Sequence, residues 1–493
     1  MLLQRRVTPH GGHLGDFILC ELPIQDTRRT VIKATAAGLA LGASPLIWLG
    51  SEAQERPRIR YEASTPQGLA MLDKYARAVA LMKTKGVGDP CSWVFSWFTH
   101  WVRSDSSKSA QIALLPEGQR PLASDMWNTC QNHGGQTTEE MFLPWHRMYV
   151  YFFERIVQMT LRDPSFALPY WNYTNPATAS LPRPFISPAS GSNSLWADTR
   201  NPGPNNGDPL RNLNLDALRQ TTYSGFCATL DNGLHGNVHV AIGNSSRGMG
   251  AVPWAAGDPI FWMHHSNIDR LWASWNAAGR TNPTSFAWLS QNFVFANDAC
   301  QKVVAKVGDF SSIATLGYTY DRLEPIPRTR LSSPLPYLGD SHAVVDKTLG
   351  PVELDGQAKR VELSPPAASS KALLGTRLKG LSGERKLYLA VDDLMSNTAP
   401  GVLYNIYLNL PDGTAPADLS PFYAGTINFF GAVMLDGASK MEAPALAFDV
   451  TDLVRRLNAN GGLNDTVSVT VIPDGDVAAD AKPMIGTIAL VEH

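Results

Sequence analysis

The sequence predicts two domains of different class: a mainly α domain with long loops, followed by an all-β sandwich. Three observations carry this reading. From about Tyr61 to Tyr320, apolar residues recur at helical spacing between irregular stretches. After about Leu373, short runs rich in β-branched and aromatic residues alternate with turn residues. Between the two, Leu323 to Pro366 contains Pro325, Pro327, Pro334, Pro336, Pro351, Pro365 and Pro366 and reads as a linker. The expected boundaries are a leader over 1–53, a helical domain over 60–325, a Pro-rich linker over 326–370 and a β domain over 371–493.

The elements follow in chain order. Thr27-Arg28-Arg29-Thr30-Val31-Ile32-Lys33 precedes an apolar run from Ala34 to Leu49. That run is shorter than the about 20 residues a membrane-spanning helix needs, and it suits the core of a signal peptide. The paired arginines resemble a twin-arginine export signal, with Ser51-Glu52-Ala53 as a cleavage site. If this leader functions, the protein is periplasmic or secreted; otherwise it is cytoplasmic. The competing reading is a surface-lying amphipathic segment kept on the mature chain. No other segment reads as a membrane span. Gly68 to Lys85 is an amphipathic helix with Leu69, Leu72, Ala76, Val79, Ala80 and Met82 on one side. Pro90 to Arg103 is a second and carries His100; Trp145 to Leu161 is a third. The irregular Pro176 to Gly207 stretch is a long surface loop. Leu234 to Ile242 and Pro259 to Ala277 are the last two helices, the latter with Asp258 as cap and Pro259 at its first position. Lys386–Val391, Val402–Leu408, Ala445–Val450, Val467–Ile472 and Ile485–Val491 read as strands of the sandwich.

A formal charge of −2 over 493 residues gives no reason to expect nucleic acid as a partner. Thirteen Trp residues crowd the same zones as the histidines and imply a bulky apolar shell there. Five cysteines without a CxxC argue against a zinc ribbon or a thioredoxin-type site. A disulfide framework is not expected in a chain this large.

Six histidines form two sets of three. His235 and His239 share a helix face at i and i+4, and His265 from the next helix completes one set. His100, His133 and His146 make the other. Imidazole suits zinc, copper, iron and nickel. Three imidazoles leave an open position, as a catalytic metal requires. No carboxylate stands at ligand spacing and no H-E-x-x-H is present, so copper is favoured.

Phe142-Leu143-Pro144-Trp145-His146-Arg147 and the run Asp258 to Trp272 resemble the two copper signatures of the type 3 copper proteins: the tyrosinases, catechol oxidases and molluscan-type hemocyanins. Tyr318-Thr319-Tyr320 resembles the tyrosine motif that closes that family's catalytic domain. The resemblance covers roughly 60–325 and implies a four-helix bundle holding two copper ions. His100, His133 and His146 would hold CuA, and His235, His239 and His265 would hold CuB. It implies that His264 is the bystander of the double histidine, a group supporting the ligands or facing the substrate, and that Phe261 lies over the copper pair. Asp269 could orient a ligand imidazole. Asp231 occupies the place of a carboxylate that holds a water for phenol deprotonation; its plainer reading is a turn residue in Asp231-Asn232-Gly233. Gly236 stands where hydroxylating members often carry Asn and would leave the entrance open, and Val240 adds an apolar wall. Cys130 is a candidate for a thioether to His133, against a plain buried thiol. Arg247 or Arg270 could meet a substrate carboxylate. The strand-rich tail resembles the shielding domain of larger members, with Phe429 to Met434 as the plug.

The implied reaction is O2-dependent ortho-hydroxylation of small monophenols to catechols and oxidation of catechols to o-quinones, of the kind that leads to melanin. The alternatives are a catechol or o-aminophenol oxidase without the hydroxylation step, and a hemocyanin-like O2 carrier. A homo-oligomer is left open.

Overall fold

The computed structural model describes residues 56–100, 107–127, 140–243, 247–326, 343–364, 386–415, 419–432, 446–461 and 467–492. The leader, Cys130, His133, Val433 and Met434 lie outside them. All described residues belong to one unit, Glu55–His493.

The helical domain is built on Pro66–Lys83, Phe142–Leu161 and Ile260–Ala277, with Gly236–Ile242 as the fourth helix beside the histidines. Pro66 starts the first of these, and its cap is Thr65, whose hydroxyl accepts from Gly68 N at 3.0 Å. Phe142–Leu161 packs against both Pro66–Lys83 and Ile260–Ala277. The latter contact is aromatic: the Phe153 and Trp262 rings stack with centroids 3.5 Å apart. Ile260–Ala277 begins where Asp258 and Pro259 predict it, with Asp258 Oδ1 accepting from Ile260 N at 3.1 Å.

The second expected helix is shorter than its periodicity suggests. It spans only Trp93–Phe98, and His100 follows it in a turn, with its N–H donating to Trp97 O at 3.1 Å. Leu230–His235 forms a π turn before Gly236–Ile242, so His235 and His239 do not share one regular α-helix. A π turn is a local device seen mostly at functional sites.

The described residues between 343 and 492 form the sandwich. Tyr423–Ile427, Tyr404–Leu408, Ser468–Pro473 and Lys359–Glu362 make one antiparallel sheet in that order. Leu446–Asp449, Leu387–Met395, Met484–Glu492 and Ala343–Lys347 make the other, with Val352–Glu353 also on Met484–Glu492. Alternating residues from both, among them Leu389, Val391, Ile406, Val469 and Ile488, meet in one core. Three of these strands lie in the stretch read as a linker. The prolines there punctuate short edge and near-edge strands, where a missing N–H costs least.

Two further pairings had no strong period-2 signal. Arg58–Arg60 pairs in parallel with Tyr318–Tyr320, and Asn292–Ala296 forms a hairpin with Lys302–Lys306. The first pairing closes a buried ionic cluster. Arg60 Nε donates to Glu154 at 2.8 Å and its Nη1 to Asp269 at 3.2 Å, while Arg147 Nε donates to the other Asp269 oxygen. Tyr318 and Tyr320 hydroxyls donate to Asp269 at 2.7 and 2.6 Å.

The cysteines also depart from expectation: Cys91 and Cys300 are disulfide-bonded across 209 residues. The bridge ties the segment that leads into the Trp93–Phe98 helix to the turn of the 292–306 hairpin. Sequence distance hid the pair, since spatial proximity cannot be read from such spacing. Cys91→Ser is expected to destabilise the protein by about 2–4 kcal/mol. The check is the thermal midpoint of the variant against the oxidised wild type; equal midpoints would contradict it.

Candidate metal centre

Five of the six candidate imidazoles are described, and all are buried. His100, His146 and His265 converge, with His146 stacked on His265 at 4.4 Å between centroids and His100 at 5.8 Å from His146. His235, His239 and His265 form a second cluster with centroids 4.5 to 5.5 Å apart. Phe261 packs among them, 3.9 Å from His265, 4.9 Å from His100 and 5.9 Å from His239. Phe142, in the first motif, fills the matching gap at 4.7 Å from both His146 and His235.

The Nδ1 atoms reveal how the rings are set. His146 Nδ1 faces Phe142 O at 2.9 Å, and His265 Nδ1 faces Phe261 O at 3.0 Å. His239 Nδ1 faces Met249 O at 2.8 Å, and His100 Nδ1 faces Val252 O at 3.2 Å. His235 Nδ1 lies 3.3 Å from Asp231 O and 3.0 Å from the Asp231 carboxylate. A carbonyl oxygen can only accept, so a neutral ring in each of these places carries its proton on Nδ1 and leaves Nε2 with a bare lone pair. The Nε2 atoms of His235 and His265 then face each other at 3.2 Å. Two lone pairs at that distance repel unless a cation lies between them. His239 Nε2 is buried with no hydrogen-bond partner among the described residues. This donor set fits a metal that takes neutral imidazole.

Burial, reinforced by neighbouring imidazoles, pushes His100, His146, His239, His264 and His265 toward neutrality. His100 is pushed down to about 3 by burial and by His235, against the Val252 carbonyl. His146, His239, His264 and His265 lie well below the ordinary 6.5, chiefly through burial. These groups are neutral in the fold and protonate more readily when unfolded. Between about pH 3 and 6.5 the unfolded chain therefore binds more protons. Their contribution to stability is fully present above pH 6.5 and is lost progressively as pH falls towards 3. A urea midpoint of the metal-free protein that stays constant from pH 7 to about 4 would contradict this.

The other predicted site residues fall as follows. His264, expected to be a bystander, lies inside the cluster: its ring stacks on His235 at 5.3 Å, and one nitrogen from each of His235, His239, His264 and His265 falls within 4.8 Å of the others. Its own nitrogens make no hydrogen bond among the described residues. Asp269 does not orient an imidazole; both its oxygens are engaged by Arg60, Arg147, Tyr318 and Tyr320, and the Phe261 carbonyl holds His265 instead. Arg270 is turned to Asn267 and Glu324. Val240 is buried, and its carbonyl accepts from Asn201.

Gly236 does not leave an open entrance. A Cβ there would fall 2.6 Å from Asn428 Oδ1, so the second domain fills that space. Asn428 Nδ2 donates to Asn232 O at 2.8 Å and to Asn237 Oδ1 at 2.9 Å, and its Oδ1 accepts from Phe430 N at 3.0 Å. Phe430 in turn stacks on His239, with centroids 4.1 Å apart and planes 14° apart, and touches His235 edge-on at 5.6 Å. Carbonyl acceptors such as Met249 and Val252 left no trace in the sequence, because any residue can supply one.

Residues 99–219 and 192–278 match the common central domain of tyrosinase, and residues 343–493 match a domain of unknown function. The chain is 28% identical over 470 residues to the tyrosinase HcTyr1 of Hahella sp. (strain CCB-MM4), covering 85% of this chain and 96% of that one. It is 27% identical over 460 residues to a chloroplastic polyphenol oxidase of Malus domestica, covering 82% and 73%. Among solved structures, recombinantly expressed latent aurone synthase superposes with a TM-score of 0.58 at 21% identity, covering 89% of this chain and 90% of that one. Latent apple tyrosinase gives 0.56 at 24% identity, covering 89% and 97%. Both share the arrangement of a helical core followed by a β domain.

The architecture is that of the latent polyphenol oxidases, and the clustered histidines could hold metal, as a tyrosinase-type domain implies. Residues 99–278 thus carry the common central domain of tyrosinase, and over most of its length the chain is similar to a tyrosinase and to a polyphenol oxidase.

Proposed function

We propose that the protein hydroxylates small monophenols to catechols and oxidises catechols to o-quinones with O2. His100, His133 and His146 would hold one copper, and His235, His239 and His265 the other. When bound, the two ions supply the O2 binding and the electron transfer that the side chains lack. The observation that carries the reading is the set of five buried imidazoles whose Nδ1 atoms each face a backbone carbonyl, with the Nε2 atoms of His235 and His265 3.2 Å apart. His265 rather than His264 is assigned as ligand because only His265 has a carbonyl fixing its ring.

The chain's own groups divide the remaining work. Phe261 and Phe142 exclude water between the rings. Asp231 would accept the phenol proton, directly or through a water. Val240 belongs to the apolar wall beside His239. The flat face of His239, where Phe430 stacks, is the place for a phenol ring, so the C-terminal domain would shield the site until that loop withdraws. Phe430→Ala is expected to raise kcat/KM for a catechol up to about tenfold, the value of one aromatic stack of up to about 1.5 kcal/mol. Unchanged kcat/KM would contradict the shielding.

A second reading, catechol oxidation alone, is favoured by one observation: the Asp231 carboxylate already lies 3.0 Å from His235 Nδ1. Assaying copper-loaded protein with tyrosine and with L-DOPA separates the two. Turnover of both supports the first, DOPA turnover alone supports the second, and reversible O2 binding without turnover would overturn both. The Cys91–Cys300 disulfide supports an oxidising compartment, the location expected if the twin-arginine-like leader functions.

A further inference from the structure

The five described imidazoles are held in two different ways. His146, His235 and His265 each use a carbonyl four residues earlier in their own element. Their aim is therefore set by local geometry. His100 and His239 instead depend on a foreign segment, and it is the same one. Met249 O holds His239 and Val252 O holds His100, three residues apart in a short turn. One of these histidines is assigned to each copper.

We propose that the Gly248–Val252 turn is a shared positioning element for the two copper sites, fixing one imidazole in each. This rests on the dicopper reading above. The seat of the turn is built tightly. Gly248 has φ +78°, and a Cβ there would lie 2.6 Å from Thr199 Oγ1. A Cβ on Gly243 would lie 1.8 Å from Gly250 N, so the backbone of the turn rests directly on the end of the His239 helix. The neighbouring loop is strapped to that same helix end: Asn201 N donates to Ile242 O at 2.7 Å, and Asn201 Nδ2 donates to Val240 O at 3.1 Å. Displacing the turn must loosen His100 and His239 together. Copper affinity at the two sites is thus coupled through a segment that contributes no ligand.

Gly243→Ala tests this. Gly243 has φ −95° and ψ 155°, which alanine adopts without strain, so the new methyl acts only by pushing the turn. Copper binding is titrated with Cu ions against a competing chelator, on the full chain, for wild type, Gly243→Ala and Met249→Leu. Loss of such orienting partners typically weakens metal affinity 10- to 100-fold. The expected result is a loss of about tenfold or more at both copper equivalents in Gly243→Ala. Met249→Leu, which keeps the carbonyl and nearly the same volume, should retain wild-type affinity at both. If Gly243→Ala does not fold, Gly248→Asn, which tolerates positive φ but still meets Thr199, gives the same readout. Two coppers at unchanged affinity, or weakening of one site alone, overturns the proposal. A wild-type chain taking up fewer than two coppers overturns the dicopper reading and this proposal with it.

Discussion

His265→Ala is expected to leave one copper per chain and to cut quinone formation about a thousandfold or more. His265 is the ring that both clusters share: it stacks on His146 and faces His235 Nε2 at 3.2 Å. Its aim comes from Phe261 O, and Phe261 itself packs on it at 3.9 Å. Under the ligand assignment proposed above, removing it takes one of three donors from one ion and opens the wall between the two. Losing the metal's stabilisation of developing charge is worth several kcal/mol, and about 4 kcal/mol corresponds to a thousandfold. The check is copper content and catechol turnover of a variant shown to be folded. His264→Ala is the paired control: if it, and not His265→Ala, removes a copper, the ligand assignment is reversed.

Asp269→Ala is expected to cost about 3–5 kcal/mol of stability. Burial alone would push the Asp269 carboxyl up, but Arg147, Arg60, Tyr320 and Tyr318 outweigh it and hold the carboxyl below its ordinary value. Removing the carboxylate leaves the Arg147 guanidinium, over the Trp272 ring at 3.5 Å, with no carboxylate partner among the described residues, and Arg60, over Tyr318 at 3.7 Å, with Glu154 alone. Stranded charge in the interior costs far more than the pair contributes while intact. Asp269 lies one helical turn beyond His265, so the damage reaches the site through the helix. Chemical denaturation of the variant measures the loss; a change below about 1 kcal/mol would show that the cluster relaxes or admits water.

Much of this was legible in the sequence, and the reasons differ by element. The Ile260–Ala277 helix announced itself because Asp258-Pro259 is a start signal and its apolar face is continuous. The sandwich strands were legible because alternation and turn residues act locally. His100 was placed on a helix that ends before it, because periodicity persists past the last hydrogen-bonded turn. The Lys359–Glu362 strand was missed because Lys-Arg-Val-Glu is polar and its pairing partner, Ser468–Pro473, lies far along the chain. The histidine types and spacing were visible; what sets their tautomers was not, since backbone carbonyls carry no side-chain signature. Gly236 was legible as a missing side chain, but only the fold reveals that Asn428 takes its room.

The most direct measurement is copper per chain in active protein, taken together with the near-ultraviolet absorption that appears on adding O2. The account predicts two coppers and an oxygen-dependent band. One copper per chain in fully active protein would contradict it.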